Sequence, residues 1–302
     1  MKIKEILLKI VPYKFLIPIR NLLYPEKINV LEERMARFFS TYYEDVKAPD
    51  LDQKTRFRNA EFKIYSKHGG DGILLYIFSK IGMTNHTLVE MGIEDGRECN
   101  TTNLLLNFGW KGLLIDANEK WVLSAKDFFK NKLGTQSEKV NVVHSFVTAE
   151  NINESITKVG IKGEIDLLSI DIDGNDYWVW KAIKDIDPRV VVVEYNSTFG
   201  LRSITKPYKK NVAYKDVVER NPLYFGASLR ALAKLGKEKG YILVACDTHG
   251  HDSYFIREDV AEGVFFEQKP EEVFYENLFL LKKIGSIEKQ FEEIKNLDFV
   301  EV

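Results

Sequence analysis

The residues of this chain best suited to chemistry sit where short apolar runs give way to turns. The densest group is Asp171-Ile172-Asp173-Gly174-Asn175-Asp176. Carboxylates this close repel one another unless a cation, a proton or a hydrogen-bonding ligand lies between them. They can hold a divalent cation, a substrate hydroxyl or a cationic ligand group. The calcium-loop pattern is excluded, because its spacing and terminal glutamate are missing. The plainer alternative is a solvated turn in which Asp176 caps the following helix. A second group follows the valine run Val190–Val193, as Glu194-Tyr195-Asn196. Asp171, Glu194 and Asn196 together form an oxygen-donor set suited to a hard cation such as Mg²⁺. A third, Asp247-Thr248-His249-Gly250-His251, offers imidazoles that titrate near neutral pH. His249 and His251 are therefore candidate general bases, with an ordinary surface loop as the alternative.

Two further groups lie upstream. Val89-Glu90-Met91-Gly92-Ile93-Glu94-Asp95-Gly96 is a glycine-bearing turn after an apolar run. Such glycines let the backbone approach a ligand, and the helix start that follows favours polar or anionic groups. At the end of the next run, Asp116 can accept hydrogen bonds from a ribose diol. The spacing G-x-x-x-G departs from the dinucleotide fingerprint, which disfavours a nicotinamide-dependent dehydrogenase. In His144-Ser145-Phe146-Val147 the apolar Phe146 can cover an adenine face, while His144 reads as a strand-end histidine.

These residues act together only if one scaffold collects them. The apolar runs Thr87–Met91, Gly112–Asp116, Val140–Val143, Ile165–Asp171 and Val190–Glu194 read as strands. Helical spacing separates them, at Thr101–Phe108, Glu119–Leu133, Ile152–Val159 and Tyr177–Ile183. The alternation predicts an α/β fold, doubly wound on a mostly parallel, Rossmann-like sheet. Ligands of such sheets bind beyond the carboxyl ends of the strands, where every candidate residue falls. Tyr241–Ala245 and Tyr254–Ile256 are expected as an antiparallel hairpin at the sheet edge. The predicted organisation is an N-terminal helical segment over 1–60, a main domain over 61–260 and a helical tail over 261–302. Residues 198–225, polar and interrupted by proline, read as a lid-like insertion; 47–55 read as a polar connector, and the end of the tail as two charged helices.

The 302 residues carry a net charge of -2, which gives no general electrostatic footprint for nucleic acid. Cys99 and Cys246 lie far apart without metal-ligand spacing, so a reducing, cytoplasmic compartment is the expectation. No apolar run reaches the roughly 18 residues that span a bilayer. Residues 1–27 mix apolar side chains with lysines, unlike the core of a signal peptide. They read as a helix packed on the body or on a second subunit of a homo-oligomer. The alternative is a basic amphipathic segment peripheral to the inner face of the membrane.

Several blocks in order resemble the FkbM-type branch of class I S-adenosylmethionine-dependent methyltransferases. They are His68-Gly69-Gly70-Asp71-Gly72-Ile73, Val89–Gly96 with Asn100-Thr101, Gly109–Asp116, Ile170–Gly174, Val193–Gly200, Phe225–Leu229, and Gly240–Val244 with Tyr254–Arg257. The resemblance spans Tyr65–Arg257 and implies a seven-stranded methyltransferase sheet with an antiparallel last strand. It implies S-adenosylmethionine as cofactor, contacted by Glu90, Gly92, Asp95, Gly96, Asp116, Ala117, Phe146 and Asp171. Asp116 would hold the ribose, and Asp171 would be a cleft residue near the methionine end or a metal. One departure stands out, because Glu94 occupies the central position of a turn that usually has glycine there. Catechol-type and macrolide-sugar methyltransferases place metal ligands at the fourth and fifth strand ends, similar to Asp171, Glu194 and Asn196. The implied reaction is methylation of a hydroxyl on a sugar or sugar-like acceptor, small molecule or glycan, with Asp171, His249 and His251 as catalytic candidates. A non-catalytic nucleotide-binding or assembly protein of the same fold is the alternative from another class.

Overall fold

The computed structural model describes residues 51–210 and 221–302. The expectations for residues 1–50, and for the middle of the 198–225 insertion, lie outside the described residues.

Apolar runs without polar alternation need cover on both faces. Of the strands β1 (Thr87–Met91), β2 (Lys111–Asp116), β3 (Val140–His144), β4 (Gly163–Ile170) and β5 (Ile186–Glu194), all receive it except the edge strand β3, where Asn141 and His144 are exposed. Leu88, Leu114, Leu167, Val190 and Val192 face one apolar cluster, and Val89, Leu113, Leu168, Val191 and Val193 face the other. This is the two-residue alternation of a strand, with both sets buried. The first cluster is covered by α1 (Gln53–Ala60), α2 (Gly70–Ile81), α3 (Thr102–Asn107) and α4 (Glu119–Leu133). The second is covered by α5 (Ile152–Lys158), α6 (Asp176–Ala182) and α7 (Leu229–Glu238). Helix α4 starts where the Asn118 side chain accepts the N–H groups of Lys120 and Trp121, and it stops at Gly134.

Between β5 and α7 lies the two-residue β6 (Ile204–Thr205); after α7 come β7 (Tyr241–Cys246) and β8 (Asp252–Arg257). The seven-stranded sheet has the order β3-β2-β1-β4-β5-β8-β7. Strands β1 to β5 pair in parallel, whereas β8 is antiparallel to both β5 and β7. The expected hairpin is therefore present, but its second strand inserts between β5 and β7 and leaves β7 at the edge. That insertion has chemical consequences described below.

Two local expectations are corrected. Residues 53–55, read as connector, open α1, where the Asp52 side chain accepts the Thr55 N–H. The end of the tail is not two helices. After α8 (Glu258–Ala261) it forms α9 (Pro270–Val273), α10 (Leu278–Lys283), α11 (Ile287–Glu292) and a closing strand, β9 (Val300–Glu301), paired with β6. The two ends of the 198–225 insertion are packed: Thr198, Phe199, Leu223 and Phe225 are buried, and Phe199 and Leu223 share a small core with Leu280 and Ile294. Among the described residues, no helix is long and apolar enough to cross a membrane.

Candidate active site at the carboxyl edge of the sheet

Strand register assembles the acidic group. Ile170 lies opposite Val193, so the next residues, Asp171 and Glu194, leave β4 and β5 side by side. An antiparallel strand begins where its parallel neighbours end, and the first residue of β8, Asp252, pairs with Glu194. Three carboxylates thus meet at one edge, and Asp173 adds a fourth. Ligand oxygens of Asp171, Asp173 and Glu194 lie within 4.8 Å of one another. Burial pushes the Asp171 carboxyl up to about 7 and Asp252 adds to this, against the pull of Lys67 and a hydrogen bond with Glu194. Burial and Asp247 raise Asp252 to about 7 as well, although Asn100 Nδ2 donates to it at 3.2 Å. The turn itself is folded by Asp176, which accepts the N–H groups of Ile172 (2.8 Å) and Gly174 (2.9 Å). Asp176 is buried rather than solvated.

A cavity of about 470 Å³ opens beside these carboxylates and runs to the ends of β1, β2 and β3. Its wall includes Glu90, Gly92, Asp116, Ala117, Phe146 and Asp171. Asp116 is buried at the tip of β2, where its oxygens accept the N–H groups of Glu94 (2.8 Å) and Asn118 (2.7 Å). Each oxygen keeps acceptor capacity for a ribose hydroxyl. Gly92, at φ 82, packs so tightly that a Cβ would lie 1.5 Å from the Asp171 carbonyl oxygen. The turn thereby brings the end of β1 against the end of β4. Glu94, in the position usually held by glycine, adopts the left-handed conformation itself (φ 49). The departure from the family pattern leaves the turn geometry intact.

Other expected contacts have different roles. Glu90 lines the cavity, yet its carboxylate already accepts from Asn100 N, Thr101 N, Thr101 Oγ1 and Ser169 Oγ. It fastens the start of α3. Asp95 does not line the cavity; its carboxylate pairs with Arg97 at 2.6 Å, out in solvent. Gly96 does not line it either, and a side chain there would meet the Phe129 ring of α4 at 2.8 Å. Its glycine serves helix packing. Asn196 is removed from the metal set: Nδ2 donates to the carbonyls of Leu223 and Phe225, and Oδ1 accepts the Thr198 N–H. Held by these bonds, Asn196 is not in the wall of the cavity that Asp171, Asp173 and Glu194 line. His144 bonds the Ala117 carbonyl through Nε2 at 3.0 Å and is not in the cavity wall.

The histidines are also re-sorted. Asn277 Oδ1 accepts the N–H groups of Phe279 and Leu280 at the start of α10, which leaves Nδ2 to face His251 Nε2 at 3.1 Å. An amide N–H can only donate, so Nε2 is the acceptor and the ring proton sits on Nδ1, 3.9 Å from Glu194 Oε1. That separation is beyond hydrogen-bonding distance, and the Nε2 lone pair is engaged by Asn277, which leaves this tautomer no lone pair for a base. His249 does not line the cavity. It lies against the outer histidine of the site, His68, with ring centroids 5.2 Å apart.

His68 and its neighbour Lys67 were missed as site residues by sequence reasoning, although they begin the quoted His68–Ile73 block. Asp71 anchors them: its Oδ2 accepts the N–H groups of Ile64, Tyr65 and Ser66 and the Ser66 hydroxyl. Gly72 lets this loop close, since a Cβ there would lie 1.9 Å from the Ala60 carbonyl oxygen. The loop then places His68 flat on His251, at 4.0 Å and 7°. Among the described residues no group hydrogen-bonds the His68 ring. Burial and the neighbouring histidines hold it near 3, neutral at physiological pH. Lys67 bonds Glu94 at 2.8 Å. Burial alone would lower its pKa, but Asp171 and Glu94 hold it above the ordinary lysine value.

The carboxylates impose a pH dependence. Asp171, Asp247 and Asp252 each rise to about 7, so between the unfolded value near 3.8 and pH 7 the folded protein holds protons that the unfolded chain has lost. Their stabilisation is complete below 3.8 and disappears as pH rises through 7. His68 acts in the opposite sense, but only below its unfolded value of 6.5. The ligand-free protein is therefore expected to melt at a lower temperature at pH 8 than at pH 6.5. A melting temperature that is flat or rising over that interval removes the case for shared protons.

The sheet order with its antiparallel insertion, and a cavity at the carboxyl edge, define a Rossmann-like class I methyltransferase fold. The chain belongs to the methyltransferase FkbM domain family, whose model matches residues 59–243. The expected resemblance is thus shown, over residues 65–243 of the expected span 65–257, and with it membership of a family of S-adenosylmethionine-dependent methyltransferases. Among solved structures, the chain is similar to a SAM-dependent methyltransferase from Aquifex aeolicus, with 14% identity and a TM-score of 0.35 over 61% of this chain and 89% of that one. It is also similar to the O-methyltransferase from Bacillus cereus in complex with SAH, with 16% identity and a TM-score of 0.40 over 72% and 95%. A third is an S-adenosylmethionine-dependent methyltransferase from Clostridium acetobutylicum, with 10% identity and a TM-score of 0.39 over 72% and 97%. No curated protein matches the chain.

Proposed function

We propose that the chain transfers a methyl group from S-adenosylmethionine to a hydroxyl of a sugar or sugar-like acceptor. The observation that carries this reading is one continuous cavity of about 470 Å³, with Asp116 and Phe146 at one end and Asp171 and Glu194 at the other. A nucleoside fits the first end, with its ribose on Asp116 and its base beside Phe146. The second end carries carboxylates, His68 and Asn100, groups that hydrogen-bond hydroxyls. When bound, S-adenosylmethionine supplies a methyl carbon already activated by its sulfonium.

The chain's own residues then have two tasks, alignment and proton removal. Asp171 and Glu194 hold the acceptor hydroxyl and take its proton. A carboxyl raised to about 7 suits that role near neutral pH. His251 stands beside Glu194, with Nδ1 3.9 Å from Oε1, and His68 covers the group from the loop side. A second reading adds Mg²⁺, held by Asp171, Asp173 and Glu194, whose oxygens are hard donors and lie close enough together. A cation there would replace the shared protons and lower the acceptor hydroxyl's pKa. Mg²⁺ should then raise the melting temperature at pH 8 and leave it unchanged in Asp173→Asn. No shift in the unaltered protein ends the metal reading.

Titration calorimetry with S-adenosylhomocysteine and NAD tests the cofactor assignment. S-adenosylhomocysteine is expected to bind and NAD not to. Asp116→Ala should weaken binding by about 1.5–3 kcal/mol, the range for hydrogen bonds to a charged group. Unchanged affinity in that variant contradicts the ribose placement. Transfer from methyl-labelled cofactor to a panel of free and nucleotide-activated sugars tests the acceptor class. Transfer to amines alone overturns it.

A further inference from the structure

We propose that Lys67 is the anchor for the carboxylate of the cofactor's methionine moiety, exchanging its present bond to Glu94 for it. The inference rests on the cofactor reading above and adds a residue to it. The methionine end of S-adenosylmethionine carries two cations, an ammonium and a sulfonium, and one anion. The cavity wall offers the cations many partners, among them Asp171, Asp173 and Glu194. It offers the anion few. Among the described residues its ammonium groups are Lys67, Lys206 and Lys209.

Position separates the three. Lys206 and Lys209 follow β6, on the segment tied to the far side of the acidic turn by Trp178 Nε1 and Asn175 Nδ2, which donate to their carbonyls. Lys206 spreads its ammonium over the Tyr224 ring at 4.9 Å. Lys67 stands on the β1 side. Its partner Glu94 has its own N–H on Asp116, the ribose carboxylate, and Asp171 and Asp173 also act on its charge. Lys67 is thus the wall's cation between the ribose end and the reacting end, where the amino-acid part must lie.

The loop is built to keep it there. Ser66 is bound through its N–H and hydroxyl to the buried Asp71, and His68 is stacked on His251, so both neighbours of Lys67 are fixed. Ordering its backbone costs nothing further on binding. The bond to be exchanged is weak, because the Lys67 and Glu94 side chains are 39% and 47% exposed. Glu94 can return to solvent while the ammonium turns to the incoming carboxylate.

The test compares two ligands by titration calorimetry. S-adenosylhomocysteine carries the amino-acid part; 5′-methylthioadenosine keeps the nucleoside and sulfur but lacks it. Lys67→Met is expected to weaken S-adenosylhomocysteine about tenfold or more. It should change 5′-methylthioadenosine by no more than about twofold, and Lys67→Arg should restore most of the loss. Unchanged S-adenosylhomocysteine affinity in Lys67→Met overturns the assignment. Equal weakening of both ligands overturns it too, since the loss would then come from a disturbed cavity. If the unaltered protein binds neither ligand, the cofactor reading itself fails, a result separate from either of these.

Discussion

Gly92→Ala is expected to destroy cofactor binding and to cost more stability than a methyl group normally does. The added Cβ would lie 1.5 Å from the Asp171 carbonyl oxygen, a backbone atom that cannot rotate away. Both sides of the turn are tied down: Gly92 N donates to Ile115 O at 2.9 Å, and Asp171 N donates to Met91 O at 3.1 Å. At φ 82 the alanine would also be strained. Left-handed strain of about 1–2 kcal/mol and overpacking of about 1–3 kcal/mol together give a destabilisation of about 2–5 kcal/mol. To relieve the contact, the end of β1 must move off β4, which separates Asp116 from Asp171. S-adenosylhomocysteine affinity should fall at least about a hundredfold, as two or more charged hydrogen bonds would be misplaced. Urea unfolding and calorimetry on the same preparation measure the two effects. A variant that keeps its affinity would show that this turn does not shape the cofactor cavity.

The second large effect is expected at the opposite end of the sheet and on stability alone. Asp166, fully buried in β4, accepts the N–H groups of Thr84, Asn85 and His86 ahead of β1. It also receives Arg189 Nη1 at 2.9 Å, while Arg189 donates to the carbonyls of Ile81 and Gly82. Burial alone would raise its pKa, but the backbone donors and Arg189 outweigh burial and hold the carboxyl below its ordinary value. Its contribution is therefore present at neutral pH and lost on acidification. Asp166→Ala leaves a buried guanidinium without its anion and three N–H groups without an acceptor. The expected loss is about 3–5 kcal/mol, which lowers the melting temperature by ~10 °C. S-adenosylhomocysteine affinity, measured where the variant is folded, should be unchanged. A wild-type urea midpoint would refute the structural role.

These two sites show how differently the parts of the molecule were legible. The sequence by itself determined the parallel strands, because a strand covered on both faces must be apolar throughout and must end where polarity returns. Val190–Val193 closing on Glu194, and Leu167–Ile170 closing on Asp171, mark both the strands and the edge at which ligands bind. The glycine turn after β1 and Asp116 after β2 were readable for the same reason.

Only the tertiary structure decided which polar groups join that edge and which are spent elsewhere. Asp252 enters because β8 inserts antiparallel beside β5, so the start of one strand meets the end of another; no local pattern announces a strand's neighbour. Asn196, two residues beyond Glu194, is lost to the carbonyls of Leu223 and Phe225, brought to it by a chain segment that returns from far away. His251 loses its role as base to Asn277, a residue of the C-terminal tail that fixes its proton. Lys67 and His68 gain theirs because Asp71 gathers three backbone N–H groups and lays their loop over the cavity. Apolar periodicity is a property of neighbours along the chain, so it survives in the sequence. Hydrogen-bond partnership is a property of neighbours in space, and a polar side chain's role is set by whichever unpaired group the fold brings to it first.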